Sequence, residues 1–210
     1  QAIIKAGIKR VICPIEDPDP RVSGKGFNQL KKASVQVKLL PIAKNIAKKI
    51  NRGFIKKIEM NQPYVTLKLA CSIDGKIATS LGQSKWISNE LSRNRVQLLR
   101  AKNDAILVGT QTFKNDFPSL NLRNNFSSLR SPLRVFLDKT LSVVPRQKEN
   151  SILKKEKTLI FHGNSFNKEN KSIWKSLNVE TIETKIENNK ICIQNVLERL
   201  ASMGILNLLI

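Results

Sequence analysis

The chain has 210 residues, 40% of them hydrophobic and 25% charged, enough to bury a sizeable core in one or two domains. No apolar run approaches the roughly 20 residues of a membrane helix and no amino-terminal signal pattern is present, so a cytoplasmic protein without membrane helices is expected. The balance of 37 Lys and Arg against 16 Asp and Glu is strongly basic, but the lysines fall in scattered pairs without interleaved aromatics, which favours anionic small-molecule ligands over nucleic acid.

Three cysteines far apart (Cys13, Cys71, Cys192) give neither a disulfide framework nor a zinc clip. His162 is the single histidine, so no metal site is readable, and it is expected at a strand end or loop without a chemical role.

Residues 1–60 read as helix, strand, helix, strand, helix. Val11-Ile-Cys-Pro14 is a short buried strand and Val35-Gln-Val-Lys-Leu-Leu40 a second. Ile42, Ala43, Ile46, Ala47 and Ile50 then mark one face of an amphipathic helix running to Gly53. Between the strands, Glu16-Asp-Pro-Asp-Pro-Arg-Val-Ser-Gly-Lys-Gly26 lacks the wider spacing of a phosphate loop and shapes a strand-to-helix connection. The run Lys56-Lys-Ile-Glu-Met-Asn-Gln-Pro63 is polar and ends in proline, placing a domain boundary near 61.

The stretch from Pro63 to Ser88 is the one around which the rest is organised. Val65, Leu67 and Leu69 alternate with Tyr64, Thr66, Lys68 and Ala70 as in a strand, which puts a lysine in mid-strand among apolar neighbours. Such a lysine either sits at a sheet edge with its stem packed and its ammonium in water, or must meet an anion or lose its proton. Asp74-Gly75 is a turn pair, Gly82 a second permissive point before Ser84, Lys85 and Trp86, and Ser88 reads as the N-cap of the next helix, with Glu90 in its first turn. Polar groups thus gather at the carboxyl end of a strand, where open α/β sheets bind ligands.

The helix over 89–101 turns Leu91, Val96, Leu98 and Leu99 inward and carries Arg100 near its end. Ala105-Ile-Leu-Val-Gly109 is a strand, and Gly109-Thr-Gln-Thr112 leads into a short helix whose free N–H groups suit an anion. Phe117-Pro118 ends that helix, because the residue before proline is pushed out of the helical region. A polar loop over 121–131 carries Arg123. Strands follow at Leu133-Arg-Val-Phe-Leu-Asp138, Thr158-Leu-Ile-Phe161 and Val179-Glu-Thr-Ile182, then a helix over 193–203 and a last strand. The alternation implies an α/β fold with a mostly parallel sheet and right-handed crossovers. Gln1 opens within an expected helix and Ile210 closes an apolar run, so the chain is expected to be the middle of a longer protein.

At Lys68-Leu-Ala-Cys-Ser-Ile-Asp-Gly-Lys-Ile-Ala78, Gly82-Gln-Ser-Lys-Trp-Ile-Ser88 and Asp104-Ala-Ile-Leu-Val-Gly-Thr-Gln-Thr-Phe-Lys-Asn-Asp116 the chain resembles the bifunctional riboflavin-biosynthesis deaminase–reductases. The 16–26 loop and Leu30 resemble the end of that family's cytidine-deaminase-like domain, and Asn51-Arg-Gly-Phe54 its link to the reductase. The resemblance implies that 1–60 is the C-terminal part of the deaminase domain. It implies that 61–210 is a dihydrofolate-reductase-like domain lacking its C-terminal end, and that the deaminase zinc motif lies upstream. It further implies reduction, with NADPH, of the ribosyl group of a phosphorylated pyrimidine, 5-amino-6-(5-phosphoribosylamino)uracil. Positions matching cofactor contacts are Ala70, Trp86, Thr112 and Asp116; those matching substrate contacts are Ser84, Arg100, Leu120 and Arg123; the matching pocket lysine is Lys68, expected to be catalytic. The chain departs from the family at Phe117, where Asp-Asp-Pro is usual for 116–118, and at Lys139, where serine is common. A basic nucleic-acid-binding α/β module and a reductase of the same fold with another substrate are the alternatives. A homo-oligomer is left open.

Overall fold

The computed structural model describes residues 1–84, 87–123, 128–145, 153 and 156–210. It divides into two compact units, Gln1–Tyr64 and Val65–Ile210.

The first unit is α/β. Strands β1 (Arg10–Cys13) and β2 (Gln36–Leu39) pair in parallel, with Arg10 opposite Gln36 and Cys13 opposite Leu39, joined by a crossover through the helix Lys25–Lys32. Gly24 begins that helix at φ +70, a left-handed conformation that favours glycine. The loop before it is tied by the buried Asp19 carboxylate, which accepts from the Arg21 backbone N–H at 2.9 Å and from its guanidinium. Two expectations fail here. β1 is not buried: Ile12 is 53% exposed, since a two-stranded sheet has too few neighbours to cover both faces. The single helix expected over 42–53 is instead a short 3-10 turn at Pro41–Ala43, a helix Lys44–Ile50 and a second helix Arg52–Met60, which takes in much of the run expected to be a polar linker. Ala47 is buried, whereas Ile42, Ile46 and Ile50 of the expected apolar face stand largely exposed.

The second unit is built on a six-stranded sheet. Its strands are β3 (Tyr64–Thr66), β4 (Ala105–Val108), β5 (Leu133–Leu137), β6 (Thr158–His162), β7 (Glu180–Glu183) and β10 (Asn207–Leu209); β8 (Ile186–Glu187) and β9 (Lys190–Ile191) form a separate antiparallel hairpin. The sheet order is β3-β10-β4-β5-β6-β7, and every pair from β10 to β7 is parallel. β4, β5 and β6 have almost no polar face to offer water, as strands covered on both sides require.

Alternate residues separate two cores. Ile106, Phe136, Ile160 and Leu209 face one layer with Phe113 and Trp174; Ala105, Leu107, Val135, Leu159, Phe161 and Leu208 face the other with Val196 and Leu200. Connections stepping one way across the sheet, through the helices Glu90–Ala101, Thr110–Asp116 and Lys168–Ser176, put these helices on the first face. The return to β10 through Ile193–Ser202 puts that helix on the second, as right-handed crossovers demand. The expected α/β fold with a mostly parallel sheet is the one observed. Insertion of β10 between β3 and β4 brings Ile210, Lys68 and the turn at Gly109 to one end of the sheet, the carboxyl end of these strands.

Among the described residues no helix is long and apolar enough to cross a membrane, and no group of three or more His, Cys, Asp or Glu side chains could hold a metal ion. His162 closes β6, fully buried, with its Nδ1 2.7 Å from the Gly163 carbonyl and its ring against Phe166.

Candidate active site

The strand leading into the organising stretch is shorter than its alternation suggests. β3 ends at Thr66, and its pairing continues only as Ile210 N–H to Thr66 O at 2.9 Å and Lys68 N–H to Ile210 O at 2.7 Å. Lys68 therefore lies beyond the strand, half-buried, and Leu67 and Leu69 are 65% and 67% exposed, against the expectation of a lysine desolvated in mid-strand. β3 is the edge strand of the sheet, and past Thr66 the segment leaves the ladder.

Both expected turns are present. Gly75 sits at φ +77 in a loop closed by Ser72 N–H to Lys76 O at 2.9 Å, with the Ser72 hydroxyl bonded to the Asp74 carboxylate. Gly82, at φ +78, donates to Thr79 O at 2.9 Å, and Thr79 in turn donates to Gln83 O. Ala70 is half-buried and Ser84 exposed beyond these turns. Trp86 lies outside the described residues.

The helix Glu90–Ala101 is capped by Asn89, whose side chain accepts from Ser92 N–H at 2.9 Å; Ser88, the expected cap, instead offers its carbonyl to Arg93. Glu90 occupies the first turn as expected, where a carboxylate complements the helix dipole. Leu91 points outward at 78% exposure, while Leu99 packs on the core.

At the far end of this helix the structure assembles a cationic corner. Phe117 takes a left-handed conformation, φ +38 and ψ +60, rather than the extended one expected before proline, because its ring packs on Phe113 and stacks near Trp174. The chain then turns sharply. Leu120, at φ +52, buries its side chain in the core, leaving its backbone to reach any ligand. Around it the 119–123 segment is fastened at its backbone: Arg134 donates to Ser119 O, Arg100 Nη1 to Asn121 O at 3.0 Å, and Arg123 N–H to Gln97 Oε1 at 3.1 Å. The Arg123 guanidinium reaches the Ser119 hydroxyl.

Burial pushes the Arg100 pKa down, and the neighbouring Arg123 charge pushes it further the same way. Neither arginine has an ion pair among the described residues. Two guanidiniums held together with no carboxylate paired to either among the described residues suit a divalent or bidentate anion chemically, since phosphate oxygens match the guanidinium fork. Arg100 and Arg123, both expected to hold substrate, are thus brought together.

The expected cofactor residues are arranged differently. Thr112 and Asp116 lie one turn apart, exposed, on the helix Thr110–Asp116, and Thr110 Oγ1 anchors its start to Leu137 O at 2.6 Å. Lys139, just past β5, donates to Asn189 of the β8–β9 turn at 2.6 Å. No hydrogen bond among the described residues joins Lys68, Ala70 or Ser84 to Thr112 or Asp116. Cavities of ≈390 and ≈450 Å³ open along β7 and the helix Ile193–Ser202, and neither touches an expected site residue.

Sequence reasoning passed over Arg134 and Gln97, which shape the corner. The available signal was a guanidinium set between Leu133 and Val135 in a strand that is otherwise apolar.

The RibD C-terminal domain family matches residues 63–210. The riboflavin biosynthesis protein RibD of Bacillus amyloliquefaciens is 38% identical over 209 residues, covering 99% of this chain and 54% of that protein. Its Escherichia coli (strain K12) counterpart is 36% identical over 155 residues, 69% of this chain and 42% of that protein. Among solved structures, Acinetobacter baumannii RibD superposes with a TM-score of 0.82 at 31% identity, covering 99% of this chain and 56% of that one. A Thermotoga maritima diaminohydroxyphosphoribosylaminopyrimidine deaminase/5-amino-6-(5-phosphoribosylamino)uracil reductase superposes at 0.79 with 28% identity, covering 99% and 55%. The chain spans about half the length of the curated relatives it matches.

Proposed function

Because the chain belongs to the RibD C-terminal domain family, we propose that it carries the reductase half of a bifunctional riboflavin-biosynthesis enzyme. In this reading it reduces the ribosyl group of 5-amino-6-(5-phosphoribosylamino)uracil to the ribityl chain, and the other half is a zinc-dependent pyrimidine deaminase. Residues 1–60 are the end of that deaminase domain and 61–210 the reductase domain. The observation that carries the proposal is the pairing of Arg100 and Arg123 without an acidic partner among the described residues, which suits the substrate's terminal phosphate. Ser84 supplies a neutral hydrogen bond, and the Leu120 backbone completes the contact.

The donor set also fits a phosphorylated dinucleotide. Thr112 and Asp116 offer an exposed hydroxyl and carboxylate on one helix face, suited to ribose hydroxyls, and Lys139 stands at the carboxyl end of β5 with a charge suited to a phosphate. Ala70 and Trp86 complete the cofactor-binding set. NADPH, when bound, supplies the hydride. The protein's part is to hold and polarise the substrate. Ring opening of the ribosylamine exposes the anomeric carbon as an imine, and the Lys68 ammonium donates a hydrogen bond or proton where charge develops.

Titration of the full-length protein with NADPH and with polynucleotide across a salt series tests this reading. The reductase binds NADPH stoichiometrically, with modest salt dependence. Polynucleotide binding that is tighter than NADPH binding, and that falls steeply with salt, contradicts it and supports the nucleic-acid module.

A further inference from the structure

Arg134 is 1% exposed, inside a sheet where a leucine would pack without desolvation. Burial lowers its pKa to about 10, with the Glu156 charge opposing. Apolar replacement of a buried charge is often neutral or stabilising, so an arginine in this position calls for a task that a hydrocarbon cannot do. Its hydrogen bonds indicate one. Nη2 donates to Glu156 O at 2.9 Å and to Thr158 Oγ1 at 2.5 Å, while Nη1 donates to Ser119 O at 3.4 Å. Glu156 Oε1 accepts from Ser131 Oγ at 3.1 Å, and that hydroxyl lies 3.5 Å from Leu122 N–H. The network therefore leaves the 119–123 segment at Ser119 and returns to it at Leu122. Between these points lies Leu120 in its left-handed conformation, and beyond them Arg123.

We propose that Arg134 is a positioning residue: from within the sheet it fixes the Ser119 carbonyl and thereby the turn that presents Arg123 beside Arg100. The inference rests on the reading of Arg100 and Arg123 as the phosphate site. Arg134 itself is too deeply buried to touch the ligand and acts through Arg123. Lysine cannot replace it, since one ammonium on a flexible stem cannot span three acceptors on separate segments as the planar fork does.

The test uses the full-length protein with ribose 5-phosphate and NADPH as titrants. Arg134→Lys is expected to weaken ribose 5-phosphate binding about tenfold or more and to change NADPH affinity by less than about twofold, the scale of one misplaced charge-assisted hydrogen bond. Thr158→Val, which removes one acceptor and leaves the arginine, is expected to shift affinity the same way by less; it carries the test if Arg134→Lys does not fold. In an Arg123→Ala background, Arg134→Lys is expected to add almost nothing. Arg123→Ala weakening the phosphate ligand while Arg134→Lys and Thr158→Val leave it unchanged overturns the positioning role alone. So does an equal loss of both ligands, or a full tenfold effect persisting without Arg123. Arg100→Ala and Arg123→Ala both leaving ribose 5-phosphate binding unchanged overturns the phosphate site and the positioning role together.

Discussion

Arg100 donates to the carbonyl of Asn121, and burial, with the charge of Arg123 two residues further on adding to it, lowers its pKa, so that two guanidiniums share one corner with no acid paired to either among the described residues. Proteins tolerate such repulsion where an anion relieves it. Alanine at either position in the full-length enzyme is expected to weaken substrate binding by about 1.5–3 kcal/mol, the worth of a hydrogen bond to a charged group. The readout is the pair of Michaelis constants: that for substrate rises well above that for NADPH. Equal rises in both would remove the assignment.

Lys68 is half-buried just beyond β3, its backbone N–H held by Ile210 O, and its side chain makes no hydrogen bond or ion pair among the described residues. Lys68→Met in the full-length enzyme is expected to keep the fold and NADPH affinity but to lower turnover by about 100-fold or more, the scale of lost acid–base help. Near-normal turnover at saturating substrate would make Lys68 a surface lysine.

The Arg21 guanidinium, by hydrogen bonding, holds the Asp19 carboxyl at about 2, below the ordinary 3.8. A depressed carboxylate pKa contributes stability that is complete above the unfolded value and is lost as pH falls through the folded one. The stability difference between the native protein and Asp19→Asn should therefore be full above about pH 4 and vanish towards about pH 2. Denaturant titrations across that range measure it, and a difference constant with pH would show that the ion pair is not its source.

Trp174 is fully buried, with Nε1 donating to Val143 O at 3.1 Å and its ring beside Phe113 and Phe117. Trp174→Ala should destabilise the second unit by about 3–5 kcal/mol, the range for deleting a large buried aromatic. A loss below about 1 kcal/mol would mean that this helix is not part of the cooperative core.

The helix carrying Trp174 was illegible in the sequence. In Lys168–Ser176 only Ile173 and Trp174 are apolar, so the segment reads as a lysine- and asparagine-rich loop, and its cap, Asn167 accepting from Asn170 N–H, is a common loop residue. The β8–β9 hairpin hid for a related reason: its turn uses Asn188 and Asn189 at positive φ, where glycine would have signalled it. β4, β5 and β6 were readable because strands covered on both faces are apolar throughout. Leu67 and Leu69 misled, since alternation records what a strand could face and not whether a neighbour exists to face it. At the site, Arg100 and Arg123 were legible as charges. Their convergence depends on the left-handed residues Phe117 and Leu120, which no composition rule anticipates, and on Arg134, whose anchoring role is visible only from its hydrogen bonds.

The central claim is reduction of a ribosyl group by a nicotinamide cofactor, and the most direct test follows the hydride. Full-length protein is supplied with 5-amino-6-(5-phosphoribosylamino)uracil and NADPH deuterated at the transferable position of the nicotinamide. The account predicts a ribityl product carrying one deuterium at the former anomeric carbon, formed in step with NADPH consumption. A folded protein that binds both ligands yet yields no labelled ribityl product would contradict it.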